Sequence, residues 1–557
     1  MNYIDEYKRW CELAVADEEV VKELNFMEEE QIEDAFYRNL AFGTGGLRGI
    51  IGAGTNRMNI YTVAKASQGL ANYLAPMFGD KASVVIGYDS RLKSDLFAKI
   101  AAEVFAANGI AVHIWSNLIP VSAVSFATRY LHTSAGVMIT ASHNPAEYNG
   151  YKVYGDDGCQ ITTEAAARIL TEIEKLNIFE DVKRIDFAQA MEDGKISYIP
   201  DTVLTAFIEN VKAQSVAGCE IDKEAAIIYS PLNGTGLVPV TRTLKEMGYT
   251  NITVVKEQEQ SDGNFPTCPY PNPESKEAMA LGLEYAAKKN ADLFLATDPD
   301  CDRVGVAVKG KNGAYVLLSA NEIGLLLLDY ICERRVANET MPQDPVMIKT
   351  IVTTDLGERI AAHYGVRTIN VLTGFKFIGE QIGLLEKRGK EDSYIFGFEE
   401  SYGYLIGTYV RDKDGVGGAY LICEMFSFYK MKGISFLDKL NEIYSTYGYC
   451  FNTLHSYAFD GAVGFTKMQN IMEEFRKGLP IIGTKKVAKL LDYSKGLAGL
   501  PKSDVLKYLL TDNCSLVIRP SGTEPKLKTY ISVSAENKEK AETVEKEIVE
   551  YLAGFFD

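Results

Sequence analysis

Positive charge is in short supply in this 557-residue chain: 58 lysines and arginines stand against 75 aspartates and glutamates, a formal net charge of −17. That balance argues against nonspecific binding to nucleic acid or to an anionic membrane, both of which need clustered cations. No nucleic acid and no membrane is therefore expected among its partners. An anionic substrate would have to be met by a local positive pocket built against the global field. Long hydrophobic runs are missing too, and stretches such as IGLLLLDYI fall well short of the ~20 residues that cross a bilayer. The first residues, MNYIDEYKRWCELAV, form a charged amphipathic helix without the apolar centre of a secretory signal. The nine cysteines, dispersed from Cys11 to Cys514, include no C-x-x-C pair. They read as reduced thiols, and a cytoplasmic location is the expectation.

What is present is an ordinary globular composition, 46% hydrophobic and 24% charged, on a chain too long for one core. After a helical extension to about Phe36, apolar runs alternate with amphipathic stretches. ASVVIGYD, SDLFAKIAAEVFAANG and IAVHIW form a βαβ unit, which VSAVSFATRYL and AGVMIT extend. Similar patterns restart at AAIIYSPLNGTG and at PVMIKTIVTTD. The last part differs: a lysine-rich helix, the strands CSLVIR and LKTYISVSA, and a long terminal helix. The reading is a mixed α/β protein, three similar α/β domains (1–200, 201–315, 316–445) plus a smaller α+β domain (446–557). No low-complexity linker separates them, so packing around a shared central cleft is expected.

Four loops carry chemistry. GVMITASHNPAEYNGYK ends a buried strand in Ser142 and His143, then turns at Asn144–Pro145. In extended chain, neighbouring side chains point to opposite faces, so Ser142–His143 is a poor hydrolase pair, and the G-x-S-x-G elbow is absent. Ser142 remains a candidate nucleophile toward phosphorus, with Lys152 near enough to fold back toward it. The second loop, DLFLATDPDCDRVGVAV, places Asp298, Asp300 and Asp302 at alternate positions between two apolar strands. Such carboxylates can converge on a hard cation. An EF-hand fails, because its sixth position holds Arg303 and its twelfth Lys309. The third, GFEESYGY, presents Glu399 and Ser401 at alternate positions, suited to vicinal sugar hydroxyls, and leads into RDKDGVGG, where Lys413 lies between two aspartates. The fourth, IRPSGTEPKLK, offers Arg519, Ser521, Gly522, Thr523 and Lys528 as a phosphate cradle between two strands.

In that order and spacing, TASHNP, DPDCDR, GFEES and RPSGTEP resemble the α-D-phosphohexomutase superfamily across nearly the whole chain, and GTGGLRG is similar to its opening motif. GFEESYGY and RDKDGVGG resemble its phosphoglucomutase/phosphopentomutase branch. The resemblance implies four domains, each giving one loop to a deep cleft. It implies a phosphoserine at Ser142, completing the coordination of Mg²⁺ held by Asp298, Asp300 and Asp302. Its reaction passes a phosphate to a sugar monophosphate; the bisphosphate, glucose 1,6-bisphosphate for a glucose enzyme, turns around and returns its other phosphate to the serine. Arg48 and Lys152 would offset charge on the phosphoryl oxygens, and Arg303 would touch substrate. Arg519, Ser521, Gly522, Thr523 and Lys528 would hold the non-reacting phosphate. Glu399 and Ser401 would read the sugar, as would Thr373, Gly374 and Lys376 in the specificity-like loop TGFKFIG. Many bacterial relatives carry Gly-His after the sugar loop, where this chain has Tyr402–Gly403, and Phe398 replaces a usual glycine. The general acid/base is therefore assigned to Lys413, and His143 to orienting the serine loop or its phosphate. Glucose phosphate is the favoured substrate, with ribose phosphate as the alternative. A metal-dependent sugar phosphatase and a non-catalytic sugar-phosphate sensor are the rival classes.

Overall fold

Strand Ser83–Tyr88 reads SVVIGY, apolar at consecutive positions, because it is covered on both faces: Val84, Val85 and Ile86 are all fully buried. The computed structural model describes all residues except 1, 44, 460, 498, 522–525 and 557. Packing groups them into two compact units. The first comprises Met1–Leu318, Gly379–Glu391 and Ser401–Phe428; the second comprises Ser319–Ile378, Asp392–Glu400 and Tyr429–Asp557.

In the first unit, Ser83–Tyr88 lies within a seven-stranded sheet ordered Phe42–Gly43, Gly46–Ile50, Tyr148–Gly155, Ala135–Ile139, Ser83–Tyr88, Ala111–Ile114, Ile196–Tyr198. The last four strands are parallel, joined through helices such as Ser94–Ala107 and Val121–Tyr130. Tyr148–Gly155 reverses direction against Ala135–Ile139, in a register that sets Lys152 opposite Met138. The serine stretch is thus the connection of an antiparallel pair, and Lys152 is carried back beside it. Three short helices precede the sheet: Tyr3–Leu13, Glu18–Phe26 and Glu29–Phe36. Asp17 caps the second through the N–H groups of Glu19 and Val20. Trp10 anchors them, fully buried and edge-on to Phe36, Tyr61 and Phe179 at 5.6, 5.3 and 5.5 Å between ring centres.

A second sheet in this unit is ordered Tyr315–Leu318, Val304–Lys309, Leu293–Thr297, Ile227–Ser230, Ile252–Val254. Leu293–Thr297 and Val304–Lys309 pair antiparallel with Thr297 opposite Val304, so the turn between them is the Asp298–Arg303 segment itself.

In the second unit, Val346–Thr350 runs parallel between Arg367–Val371 and Tyr394–Phe398. Phe398 stacks on Phe396 at 5.4 Å, and its ring fills the space beside Gly324, where a Cβ would come within 2.2 Å of it. The C-terminal sheet is antiparallel, ordered Tyr449–Ala458, Lys526–Ala535, Ser515–Pro520, Leu506–Leu510, Lys485–Asp492, Ile481–Ile482, with helices Gly461–Arg476 and Lys538–Phe556. The mixed α/β build with an α+β C-terminal portion is the one expected. The nine cysteines are all buried except Cys11 and Cys219. Among the described residues no helix is long and apolar enough to cross a membrane.

Candidate active site

Ser142 sits just past strand Ala135–Ile139, buried, in a left-handed conformation with φ 53°. That backbone state costs a non-glycine residue about 1–2 kcal/mol, so something must hold it. Arg91 does. Its buried guanidinium donates from Nε and Nη2 to the Ser142 carbonyl (3.2 and 2.5 Å), and from Nη2 to Asn144 O as well. Nη1 donates to Pro145 O at 2.8 Å and to Tyr148 O at 3.1 Å. Asp89, 3.6 Å from Arg91 Nε, accepts the Arg91 N–H, the Ser94 hydroxyl and the Thr140 hydroxyl (3.0, 2.8 and 2.6 Å). Thr140 Oγ1 in turn accepts the Ser142 N–H at 2.8 Å. Burial pushes the Asp89 carboxyl up, against the pull of Arg91, and the Arg91 guanidinium down, against Asp89.

The left-handed serine overturns one expectation. Ser142 and His143 do not face apart; Ser142 Oγ lies 3.2 Å from His143 Nδ1, because alternation of faces holds for extended chain only. The contact is still not a hydrolase dyad. The Ser142 hydroxyl donates to Asp298 Oδ2 at 2.9 Å, so His143 serves as donor to it. Burial, with Arg303 and Arg48 adding to it, holds the imidazole well below its usual range. Arg48 comes from strand Gly46–Ile50 and donates to Asn144 Oδ1 at 3.0 Å, across the same loop.

Asp298, Asp300 and Asp302 converge: all three are buried, and one oxygen from each lies within 4.8 Å of the others. The turn is pinned at three successive carbonyls. Pro299 O accepts from Thr235 N, Asp300 O from Val121 N and Cys301 O from Gly415 N, at 2.8, 3.0 and 3.0 Å. Asp298 Oδ1 accepts the N–H groups of Asp302 and Arg303, each at 3.0 Å. Oδ1 of Asp300 and Oδ1 of Asp302 are buried without a hydrogen-bond donor. Buried carboxylate oxygens left in that way fit a hard divalent cation, which prefers oxygen ligands. Burial and the two neighbouring carboxylates push the Asp298 carboxyl well up. For Asp302, burial is outweighed by Lys413, Lys152 and Arg303, and the carboxyl is driven down.

Two lysines reach the aspartates. Lys152 Nζ is 2.8 Å from Asp300 and 3.5 Å from Asp302, and these charges raise it despite burial. Lys413 Nζ lies 3.2 Å from Asp302 and 3.5 Å from Asp412. Its flanking aspartates do not form a surface ladder. Asp412 is buried and accepts the Tyr154 hydroxyl at 2.9 Å; Asp414 is buried against Ser122 at 2.9 Å and against Tyr409. Arg303 contacts Glu274 and lies 3.8 Å from both Asp298 and Asp302.

Within the second unit, Glu399 is buried at the end of strand Tyr394–Phe398, next to Glu400, which accepts the Thr350 and Thr353 hydroxyls (3.1 and 3.0 Å). Ser401, of the first unit, is half-buried. Thr373 Oγ1 is buried without a partner, Gly374 has φ 118°, and Lys376 Nζ lies 5.0 Å from the Phe377 ring centre. Arg519 and Lys528 are direct cross-strand partners, and Ser521 closes their hairpin through its N–H on Lys526 O (2.7 Å). Two cations therefore share one face. Gly522 and Thr523 lie outside the described residues.

The structure thus brings together Ser142, His143, Lys152, Arg48, the three aspartates, Arg303 and Lys413. Sequence reasoning gave no role to Arg91 and Asp89, whose one signal is YDSR closing a buried strand, nor to Thr140, which opens TASHNP, and it missed Tyr154, which has no signal at all.

Four consecutive phosphoglucomutase/phosphomannomutase domains match the chain: α/β/α domain I over residues 39–178, II over 205–312, III over 319–447, and the C-terminal domain over 476–550. The phosphoglucomutase of Staphylococcus saprophyticus is 37% identical over 537 residues, 94% of this chain and 95% of that one. That of Staphylococcus aureus MSSA476 is 36% identical over 543 residues, 95% of each. Among solved structures, a phosphoglucomutase/phosphomannomutase family protein from Burkholderia thailandensis superposes with TM-score 0.69 at 18% identity, covering 92% of this chain and 97% of that one. The open form of the Paramecium phosphoglucomutase parafusin gives 0.68 at 17% identity, with 93% and 96% covered.

Proposed function

Because the chain belongs to the α-D-phosphohexomutase superfamily, we propose that it interconverts α-D-glucose 1-phosphate and glucose 6-phosphate through a phosphorylated Ser142 and glucose 1,6-bisphosphate. The observation that carries the proposal is the buried cluster in which the Ser142 hydroxyl meets Asp298 at 2.9 Å beside two carboxylate oxygens that lack donors.

In the forward reaction the sugar's C6 hydroxyl attacks the phosphorus on Ser142, the bond from phosphorus to Ser142 Oγ breaks, and Lys413, as the neutral amine, takes the hydroxyl proton and becomes the ammonium. The bisphosphate turns around. Ser142 Oγ then attacks the phosphorus at C1, the C1–oxygen is released, and Lys413 returns a proton to it. Lys152 and Arg48 balance charge on the phosphoryl oxygens, and His143 and Arg91 keep the serine loop in place. Mg²⁺ bound by Asp298, Asp300 and Asp302 would withdraw charge from the transferring phosphoryl group. The non-reacting phosphate is assigned to Arg519, Ser521 and Lys528, with Gly522 and Thr523. The sugar is assigned to Thr373, Gly374, Lys376, Glu399, Ser401 and Arg303. Retaining a bisphosphate needs a second anion site, which a phosphatase has no use for. A sugar-phosphate sensor would need no nucleophile beside the carboxylates.

The test is a phosphorus NMR competition in one tube: protein, Mg²⁺, a trace of glucose 1,6-bisphosphate, and equal glucose 1-phosphate and ribose 1-phosphate. Glucose 6-phosphate should rise first. Earlier ribose 5-phosphate would move the enzyme to pentose phosphates with the mechanism intact, and inorganic phosphate as main product would make it a hydrolase.

A further inference from the structure

We infer that Gly403 is a positioning residue for proton transfer: its missing side chain is the space through which Lys413 reaches the aspartate cluster. The inference rests on the proposed role of Lys413. A Cβ built at Gly403 would lie 2.1 Å from Lys413 Cδ, 2.7 Å from Cγ and 3.4 Å from Cε. Non-bonded carbons settle at about 3.5–4.0 Å, so the lysine stem occupies the volume a side chain at 403 would claim.

Neither partner is free to give way. Tyr404 is buried, and its carbonyl accepts Asp414 N at 2.9 Å. Tyr402, at φ 64°, is tied through its carbonyl to Val304 N at 3.0 Å. Lys413 is fastened at its root, with its N–H on Asp412 Oδ1 at 2.8 Å and Gly415 N on Cys301 O at 3.0 Å. The flanking carboxylates are themselves held, Asp412 by Tyr154 and Asp414 by Ser122 and Tyr409. At its tip the ammonium sits 3.2 Å from Asp302. With root and backbone fixed, relief of the clash at Cδ falls on the torsions of the lysine stem, and moving the stem sideways draws Nζ off Asp302. Gly403 is therefore required by the path of Lys413 and not by its own backbone.

The experiment is a double-mutant cycle with Gly403→Ala and Lys413→Ala, measuring kcat, KM and thermal midpoint. A displacement on the order of 1 Å at a reacting group costs about 100-fold. Gly403→Ala should lower kcat by about that factor, with KM for glucose 1-phosphate within about twofold of wild type. In the Lys413→Ala background, Gly403→Ala should change neither kcat nor thermal midpoint, because the occupant of the space is gone. If Gly403→Ala folds too poorly to assay alone, restored folding in the double variant supports the same steric conflict, and continued misfolding overturns it. Gly403→Ala with a third or more of wild-type kcat overturns the inference, as does an equal loss in both backgrounds. Lys413→Ala with wild-type activity sinks the role of Lys413 itself, and that outcome is read from the single variant alone.

Discussion

Replacing Arg91 by lysine tests whether the serine loop is held or holds itself. The guanidinium delivers five N–H donors to four carbonyls, those of Ser142, Asn144, Pro145 and Tyr148. Ser142 and Asn144 are served from Nη2, and Pro145 and Tyr148 from Nη1. A lysine brings three donors on a single nitrogen, which can stand where one of those two nitrogens stood but not both. Two partly buried carbonyls then lose their donor, at up to about 1–3 kcal/mol each, a ceiling of about 2–6 kcal/mol in total. The left-handed strain at Ser142, about 1–2 kcal/mol, pushes the loop the same way once it is released. If only about 3 kcal/mol of this appears as displacement of the loop, the competent state falls about 100-fold, since each 1.36 kcal/mol is a factor of ten. Arg91→Lys should therefore lower kcat/KM for glucose 1-phosphate by about 100-fold or more in a coupled dehydrogenase assay. Intact mass should show reduced phosphate on the protein after incubation with glucose 1,6-bisphosphate. Near-wild-type turnover together with full phosphorylation would refute the argument, because the loop would have kept its geometry without the fork.

Thr140→Val keeps the shape of the side chain but strips the Ser142 N–H of its acceptor and Asp89 of a donor; phosphorylation of Ser142 by the bisphosphate should slow about 10-fold or more, while Thr140→Ser should stay near wild type. Asp300→Asn should abolish the rise in melting temperature produced by Mg²⁺, a stabilisation worth about 2.7 kcal/mol when the ion is at 100 times its dissociation constant; an unchanged Mg²⁺ response would exclude these aspartates as ligands. Trp10→Ala empties the ring cluster under the N-terminal helices and should cost about 3–5 kcal/mol in urea unfolding. Glu386, held by Arg129 and Arg411, has its carboxyl lowered to about 2 from 4.5. Its contribution is present above pH 4.5 and lost as pH falls toward 2, so the stability gap between wild type and Glu386→Gln should close only below pH 4.5. The side chain is 41% exposed, and solvent screening keeps that gap under about 1 kcal/mol; a gap that stays constant down to pH 3 would contradict the assignment.

The aspartate turn was readable because its determinants are local. Two apolar strands of matched register force Asp298 to Arg303 into one tight connection, and three carboxylates in so short a turn have few ways to avoid each other. Ser142 was readable as the point where a buried strand stops. The contact between Ser142 and His143 was not, because face alternation presumes extended backbone, and the left-handed state of Ser142 is imposed by an arginine 51 positions earlier in the chain. Tyr154 and Asp412 are separated by 258 positions, and no pattern in either segment points to the other. Gly403 is a subtler case. Glycine in a loop ordinarily signals backbone freedom, whereas here the informative quantity is the volume left for a lysine ten positions further on. Local periodicity encodes elements; it does not encode which side chain fills the space another lacks.

The charge of the site follows from the same geometry. Three buried carboxylates meet Lys152, Lys413 and Arg303, with Arg48 beside the serine loop, a local concentration of cations inside a chain whose net charge is −17. A phosphate on Ser142 would add roughly two negative charges at neutral pH. A divalent cation on the aspartates would return about two positive ones. The two additions cancel, so phosphoserine and cation should bind together far better than either does alone. The phosphorylated protein should take up Mg²⁺ more tightly than the dephosphorylated form by tenfold or more, as measured by calorimetry. Equal affinities would mean that the phosphate does not face the aspartates, and the assignment of Ser142 as the phosphate carrier would fall.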